Sequence, residues 1–188
     1  MNTKNTVSKE KYERIEFLLN GEPVCILSGN EFEKNDEKSL LQQLLDYFSK
    51  IGNVVNTAFG EVVIDRKAIK TDVHHGMSRV KAISFAAVKP TLERGIVILP
   101  LDHHNTHNKK QKTGIIAAPI QICSEKYICV VVVIENLTTD RLYVHEAFIT
   151  KKLLDDVAVS NAVHGAKTPV TQHQGEVAKI LKKSIEEI

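Results

Sequence analysis

The sequence predicts an α+β domain in which N-terminal helices pack on a roughly four-stranded antiparallel sheet, with an extra N-terminal strand and helix and a C-terminal helix. Apolar residues at helical spacing precede Gly95, and four runs rich in β-branched residues follow it. Helices followed by a meander of strands are typical of folds whose helices cover one face of a sheet. The 188-residue chain has 43% apolar and 26% charged residues, enough to bury such a core.

The first part of the chain contains a short strand, a well-defined helix and a second strand. Residues 21–29 (GEPVCILSG) form an apolar run between glycines, which predicts a strand. Residues 38–51 carry leucines at helical spacing and stop at Gly52, a residue type that commonly follows a helix. Residues 60–65 (GEVVID) predict the second strand.

The middle of the chain predicts two helices separated by Gly76. The first spans residues 66–75, and the second begins after Ser78, a suitable N-cap. Pro90 is expected to break or restart the second helix, because proline removes a backbone donor. Gly95 is expected to close it.

The second half predicts four strands and a charged terminal helix over residues 176–188. Short connections favour hairpins between the later strands. Pro119 suggests that its strand lies at an edge or carries a bulge, because proline cannot donate to a ladder. The predicted strands span residues 95–101, 114–123, 127–135 and 141–150.

Cysteine usage and hydropathy exclude several classes of protein. The three cysteines form no CxxC pair and lie in apolar runs, which predicts free buried thiols in a reducing compartment. The N-terminus lacks an apolar secretory core, and the stretch Tyr127–Ile134 is too short to span a bilayer. We expect a soluble cytoplasmic protein with no membrane partner, with delivery by a phage or association with a virion as alternatives. The net charge of +2 neither requires nor excludes a polyanionic partner.

A polar cluster surrounds the predicted start of the second central helix. His74 and His75 precede Gly76, and Arg79 and Lys81 follow it. Imidazoles suit proton transfer near neutral pH, and a helix N-terminus with nearby cations favours a phosphate. The alternative is a solvated helix start with polar residues around it, which composition alone favours.

The last predicted strand carries polar residues inside an apolar run. Strict alternation puts Tyr143, His145 and Ala147 on one face and Glu146 on the other. A histidine and a carboxylate in such a strand are costly to bury unless they are paired. They are therefore either structural hydrogen-bonding groups or functional groups, and the sequence leaves both interpretations open.

A histidine-rich segment, residues 102–107 (DHHNTH), invites a zinc interpretation. The spacing matches no strong ligand signature, no cysteine is close, and Lys109, Lys110 and Lys112 would repel a dication. We expect a basic loop between two strands that contacts a phosphate backbone, without a metal or other cofactor. A metal-dependent hydrolase centred on this segment is a rival hypothesis.

The order of the segments resembles a known group of nucleases. GEVVID precedes the His75-Gly76-x4-Lys81 pattern, the apolar helix SFAAV, the strands GIVI and GIIAAPI, and a closing LYVHE. From residue 60 to residue 150 this order is similar to the phage-associated nuclease domains of the barnase–EndoU–colicin–RelE group. Those domains are modules of large polyvalent phage and mobile-element proteins and of polymorphic toxins. The resemblance implies N-terminal helices, a four-stranded antiparallel sheet and metal-independent ribonuclease activity.

The resemblance also implies site residues. His75 and Lys81 match the helix motif, and His145 with Glu146 match the last-strand motif. In the expected mechanism His75 takes the proton of the 2′-hydroxyl and His145 protonates the leaving 5′-oxygen, or the reverse. Lys81 stabilises the phosphorane, and Glu146 orients a histidine or serves as the alternative base. The expected products are a 2′,3′-cyclic phosphate and a 5′-hydroxyl.

Local chemistry adds further candidates. Arg79 is expected to assist Lys81 at the phosphate, since guanidinium binds phosphate in a bidentate manner. Tyr143 is expected to stack on a base. The expected RNA-binding residues are His74, Tyr143, Lys109, Lys110, Lys112 and Thr113.

These expectations divide the chain into three parts and leave an alternative function open. Residues 1–59 are an extension, residues 60–150 the nuclease-like domain, and residues 151–188 a loop and C-terminal helix. The expected partners are RNA and a cognate immunity or inhibitor protein. The alternative is a catalytically inactive module of the same fold that binds RNA or protein.

Overall fold

A computed structural model describes residues 13–34, 36–74, 77–104 and 111–151. Its helical residues lie in the first half of these ranges, and its long strands lie in the second half. The helices are α1 (residues 13–20), α2 (Leu40–Ile51), α3 (Arg66–His74) and α4 (Arg79–Arg94). The strands are β1 (Ile26–Leu27), β2 (Val54–Thr57), β3 (Gly60–Val63), β4 (Ile96–His104), β5 (Gln111–Ile122), β6 (Glu125–Asn136) and β7 (Arg141–Thr150).

The fold is α+β, but the predicted four-stranded antiparallel sheet is wrong. Within the described residues the sheet has seven strands in the order β1-β5-β6-β7-β3-β2, with β4 also paired to β5, and it curls into a half-barrel. It is mixed, because β1 runs parallel to β5 and β3 runs parallel to β7. Strands β4 to β7 form an antiparallel meander. The three shorter strands join it through pairings between distant parts of the chain, which the periodicity of a single run does not specify.

Strand β5 is an interior strand, which corrects the expectation that Pro119 marks an edge or a bulge. On one side β5 pairs with β6 along its whole length. On the other side β4 pairs up to Ala117, and β1 begins at Gln121. Pro119 lies in the interval between them, and its carbonyl accepts a 2.8 Å hydrogen bond from the backbone N–H of Val24. The side of Pro119 that lacks an N–H therefore faces the gap between the ends of β4 and β1, where no ladder hydrogen bond is lost.

Helix α4 continues through Pro90, contrary to the sequence prediction. It runs unbroken from Arg79 to Arg94. Proline at position 90 removes the N–H that would bond to the carbonyl of Ala86. The hydroxyl of Tyr47 donates to that carbonyl at 3.2 Å, so the orphaned acceptor has a tertiary partner. The predicted ends are confirmed, because Ser78 is the N-cap and Gly95 the C-cap.

Both faces of the sheet are apolar, and the larger cluster lies on the face that packs against α2, α3 and α4, here called the helix-covered face. It carries buried residues from three strands of the meander: Ile116, Ala118, Ile120, Cys129, Val131, Val133, Val144 and Ala147. The opposite face, here called the second face, packs against Leu18 of α1. Its buried strand residues are Ile115, Ala117, Ile128, Val130, Val132 and Phe148.

The segment between Val24 and Ile51 is fastened to α4. Three cationic side chains of α4 donate to backbone carbonyl oxygens of this segment: Arg79 to Phe32, Lys89 to Ile51 and Arg94 to Val24. The predicted boundary after residue 59 falls between β2 and β3, which pair with each other. Residues on both sides of that boundary thus share one sheet, and the division into domains stays a prediction.

The remaining expectations concern the C-terminal helix, membrane association and the cysteines. The C-terminal helix over residues 176–188 lies outside the described residues. Among the described helices, none is long and apolar enough to cross a membrane. All three cysteines are free, but only Cys129 is fully buried, whereas Cys25 is half-buried and Cys123 is exposed.

Candidate functional site on strand β7

Strand β7 carries a β-bulge at His145. Val132 of β6 aligns with Glu146, and the next residue, Val133, aligns with Val144. His145 is therefore the extra residue on β7 at this point of the ladder. Its side chain is exposed.

The bulge shifts the alternation of side chains along β7, so the predicted face assignment is wrong. Val144 and Ala147 both belong to the cluster of the helix-covered face, although three positions separate them. Tyr143 and Glu146 consequently share the second face. A strict period of two would have placed Tyr143 and Ala147 together, but one inserted residue exchanges the faces beyond it.

Tyr143 lies at one end of the second face. It belongs to a row of residues aligned across the strands, with Ile134 of β6 and Thr113 of β5. Its hydroxyl accepts a 3.2 Å hydrogen bond from Nε2 of Gln111. Burial raises the pKa of Tyr143, and the negative charge of Asp65 raises it further. The phenol therefore stays protonated at neutral pH and presents a half-buried ring held at its oxygen.

Glu146 occupies the next row of the same face. Its row contains Ile115 of β5 and Val132 of β6. Its side chain is half-buried, so the carboxylate lies beside an apolar surface. Tyr143, His145 and Glu146 thus come together on one stretch of β7, two of them on the second face and one at the bulge.

Two side chains at the start of α4 form hydrogen bonds to the backbone. The hydroxyl of Ser78 accepts from the backbone N–H of Lys81 at 3.1 Å, which is the predicted capping bond. The guanidinium of Arg79 donates to the carbonyl oxygen of Phe32 and is part-buried. Lys81 is half-buried. Arg79 is thus engaged in a structural hydrogen bond at the position where the sequence predicts a phosphate ligand.

Helix α4 lies on the side of the sheet opposite to Tyr143 and Glu146. The hydroxyl of Ser84 is 3.5 Å from the carbonyl oxygen of Ala147, and α4 packs on the helix-covered face. Among the described strands, β3 covers the outer edge of β7 only at Leu142 and Tyr143. Beyond Tyr143 no described strand pairs with this edge of β7, so the two faces of the sheet adjoin at the edge next to His145.

The residues predicted to bind RNA at the start of β5, Lys112 and Thr113, lie on opposite faces of the sheet. Lys112 forms a 3.3 Å ion pair with Glu135, and its register partner in β7 places it on the helix-covered face, away from Thr113. Thr113 is half-buried on the second face. Lys109 and Lys110 lie outside the described residues.

The histidine-rich segment begins as a strand rather than a loop. Strand β4 extends through His103 and His104, which align with Thr113 and Lys112. His107 lies outside the described residues. Within the described ranges no group of three or more histidine, cysteine or acidic side chains is placed to hold a metal ion.

The other half of the predicted site is only partly described. His74 ends helix α3, and His75 lies outside the described residues. The catalytic roles assigned to His75, Lys81, His145, Glu146 and Arg79 stay predictions. Sequence reasoning missed Gln111 and Asp65 beside Tyr143, because neither belongs to a motif and both approach Tyr143 only through strand pairing.

Comparison with known proteins adds no relative. No family model, curated protein or solved structure matches the chain. The resemblance to the barnase–EndoU–colicin–RelE group therefore stays a hypothesis carried by the ordered motifs of the sequence.

Proposed function

We propose that this chain is a metal-independent endoribonuclease that cleaves RNA by attack of the 2′-hydroxyl on the adjacent phosphodiester. The observation that supports the proposal best is the bulge at His145, which presents an exposed imidazole next to Glu146. Bulges concentrate beside active sites, where they re-aim a side chain. Histidine as a residue type is suited to proton transfer near neutral pH, because its unperturbed pKa of about 6.5 lies close to that pH.

His145 and His75 divide the two proton transfers between them. One imidazole takes the proton of the 2′-hydroxyl, and the other protonates the leaving 5′-oxygen. Glu146 follows His145 directly and orients that imidazole or replaces the base. The products are a 2′,3′-cyclic phosphate and a 5′-hydroxyl end.

The start of α4 supplies positive charge to the same phosphate. Lys81 lies in the first turn of a helix whose N-terminal dipole favours an anion. Ser84 places this helix against Ala147, two residues from His145. An RNA chain that passes around the edge of β7 would meet Lys81 on one side and Tyr143 on the other. The proposed partners, RNA and a cognate inhibitor protein, and a phage or toxin setting follow from the resemblance.

The test is incubation of the purified protein with end-labelled RNA, with and without EDTA. The proposal predicts EDTA-insensitive cleavage that His145→Ala and His75→Ala each reduce by about 10²- to 10⁴-fold, the usual effect of removing a general acid or base. Lys81→Ala should also reduce cleavage. Its matched control is Lys126→Ala, because Lys126 is an exposed lysine at the end of β6 far from Tyr143. Cleavage that persists in both histidine variants would overturn the proposal.

A second candidate function is an inactive module that binds RNA or protein. The observation that favours it is the bond from Arg79 to the carbonyl of Phe32, which occupies a predicted phosphate ligand. This candidate predicts that the RNA stays intact in the same assay, with and without EDTA. Cleavage that EDTA abolishes would instead favour a metal-dependent hydrolase.

A further inference from the structure

We propose that Gln111 is a positioning residue that holds the ring of Tyr143 as a stacking platform for an unpaired base of single-stranded RNA. The inference deepens the proposed function and rests on it for the class of ligand. It assigns a role to a residue at the start of β5 that no motif distinguishes.

The geometry places Gln111 and Tyr143 on different strands with β6 between them. Gln111 aligns with Asn136 of β6, and Tyr143 aligns with Ile134 two residues earlier. The amide of Gln111 crosses β6 and donates to the phenol oxygen at 3.2 Å. A bond across an intervening strand fixes the far end of the ring, whereas the backbone of β7 fixes the near end.

The surroundings of the ring suit a base better than a phosphate. Tyr143 is half-buried and aligned with Ile134 of β6, which gives the ring an apolar neighbour on the same face of the sheet. The nearby negative charge of Asp65 disfavours a phosphate at the ring itself. Aromatic rings held in this way bind bases by stacking, and the loss of one such ring weakens single-strand binding substantially.

The bond also predicts a change that does not depend on RNA. Gln111 donates to the phenol oxygen, and a donated hydrogen bond favours the charged phenolate over the neutral phenol. Removal of the amide is therefore expected to raise the pKa of Tyr143 further above its ordinary value. If Gln111 merely excluded water, its removal would hydrate the phenol and lower this pKa instead.

The experiment measures binding of a fluorescent single-stranded 2′-O-methyl RNA, which lacks the attacking hydroxyl and cannot be cleaved by the proposed route. Tyr143→Ala is expected to weaken binding by about 10-fold or more. Gln111→Ala and Tyr143→Phe are each expected to weaken it by a smaller, similar factor. Their double variant should be no weaker than either single variant, because both remove the same bond.

A matched control comes from the other end of the same strand. Gln121 also uses Nε2 to donate to a neighbour, the carbonyl of Cys123 at 2.8 Å, so Gln121→Ala removes a comparable bond away from Tyr143. It should leave RNA binding unchanged. Phenolate absorbance, read as the difference between each protein and its Tyr143→Phe counterpart, should show a higher Tyr143 pKa in Gln111→Ala only.

The outcomes separate this inference from the proposed function. Wild-type binding that depends on Tyr143 and Gln111, without cleavage of ordinary RNA, would retain the inference and reject the nuclease. Full-strength binding by Gln111→Ala together with an unchanged or lowered Tyr143 pKa would overturn the inference, whether or not the protein cleaves RNA. Failure of the wild-type protein to bind the oligonucleotide would also overturn it.

Discussion

The hydroxyl of Tyr47 bonds to the carbonyl oxygen of Ala86 at 3.2 Å, and Ala86 is the residue whose helical donor Pro90 removes. Helix α2 thus supplies the donor that α4 lacks. This exchange explains how a proline is accommodated inside a continuous 16-residue helix. It also fastens α2 to the helix that covers the sheet.

Tyr47→Phe is expected to destabilise the protein by about 1–3 kcal/mol, because it leaves the buried carbonyl of Ala86 without a donor. In a Pro90→Ala background the restored N–H satisfies that carbonyl, so the same substitution should cost much less. A double-mutant cycle from urea unfolding measures the difference. Equal costs in both backgrounds would show that the hydroxyl serves another purpose.

Deletion of His145 is expected to preserve the fold. Removing the extra residue of the bulge leaves Val144 and Glu146 opposite Val133 and Val132, as they already are. The free energy of unfolding should change by less than about 2 kcal/mol, whereas most deletions inside a strand exchange its two faces. Deletion of Val131 in the regular part of β6 is the control and should prevent folding. Loss of cooperative unfolding in the His145 deletion would contradict the assigned register.

Arg79→Ala is expected to lower the free energy of unfolding by about 1–3 kcal/mol through loss of the bond to the Phe32 carbonyl. Its effect on cleavage, measured below the melting temperature of the variant, should be smaller than that of Lys81→Ala. Chemical denaturation and a turnover assay on the same samples distinguish the two effects. A variant with wild-type stability and a large loss of turnover would instead support a role of Arg79 in phosphate binding.

Stability is expected to fall at alkaline pH because of a buried thiol. Burial raises the pKa of Cys129 from 9.0 to about 12. Since the pKa is higher in the folded state, this contribution is fully present below the unfolded pKa of about 9 and is lost as pH rises through the folded pKa. Between about pH 8 and about pH 11, Cys129→Ala should lose less stability than the wild-type protein, and Cys123→Ala, which removes an exposed thiol, serves as the control. Identical pH profiles for Cys129→Ala and the wild type would contradict the burial of this thiol.

Sequence reasoning succeeded where a structural signal is local. The N-cap at Ser78 depends on one hydroxyl and a backbone N–H three residues away, and the start of β7 depends on the adjoining turn residues. Strand β2 and helix α1 escaped prediction. Val54–Thr57 is too short for a convincing alternation, and β2 is defined by pairing with β3.

The candidate site was harder to predict, because its geometry comes from strand register. The sequence YVHEAF places His145 and Glu146 side by side and so breaks strict alternation, but only the register with β6 identifies His145 as the inserted residue of a bulge. That one residue decides that Glu146, rather than Ala147, joins Tyr143 on the second face. Likewise, the contact between Gln111 and Tyr143 depends on two hairpins and a bond across β6.

The most direct measurement is mass spectrometry of the RNA fragments released by the wild-type protein in the presence of EDTA, beside His145→Ala. The proposed mechanism predicts fragments that end in a 2′,3′-cyclic phosphate and begin with a 5′-hydroxyl, and their loss in the variant. Intact RNA with the wild-type protein, or fragments that form equally in the variant, would contradict the assignment of His145 to the chemistry.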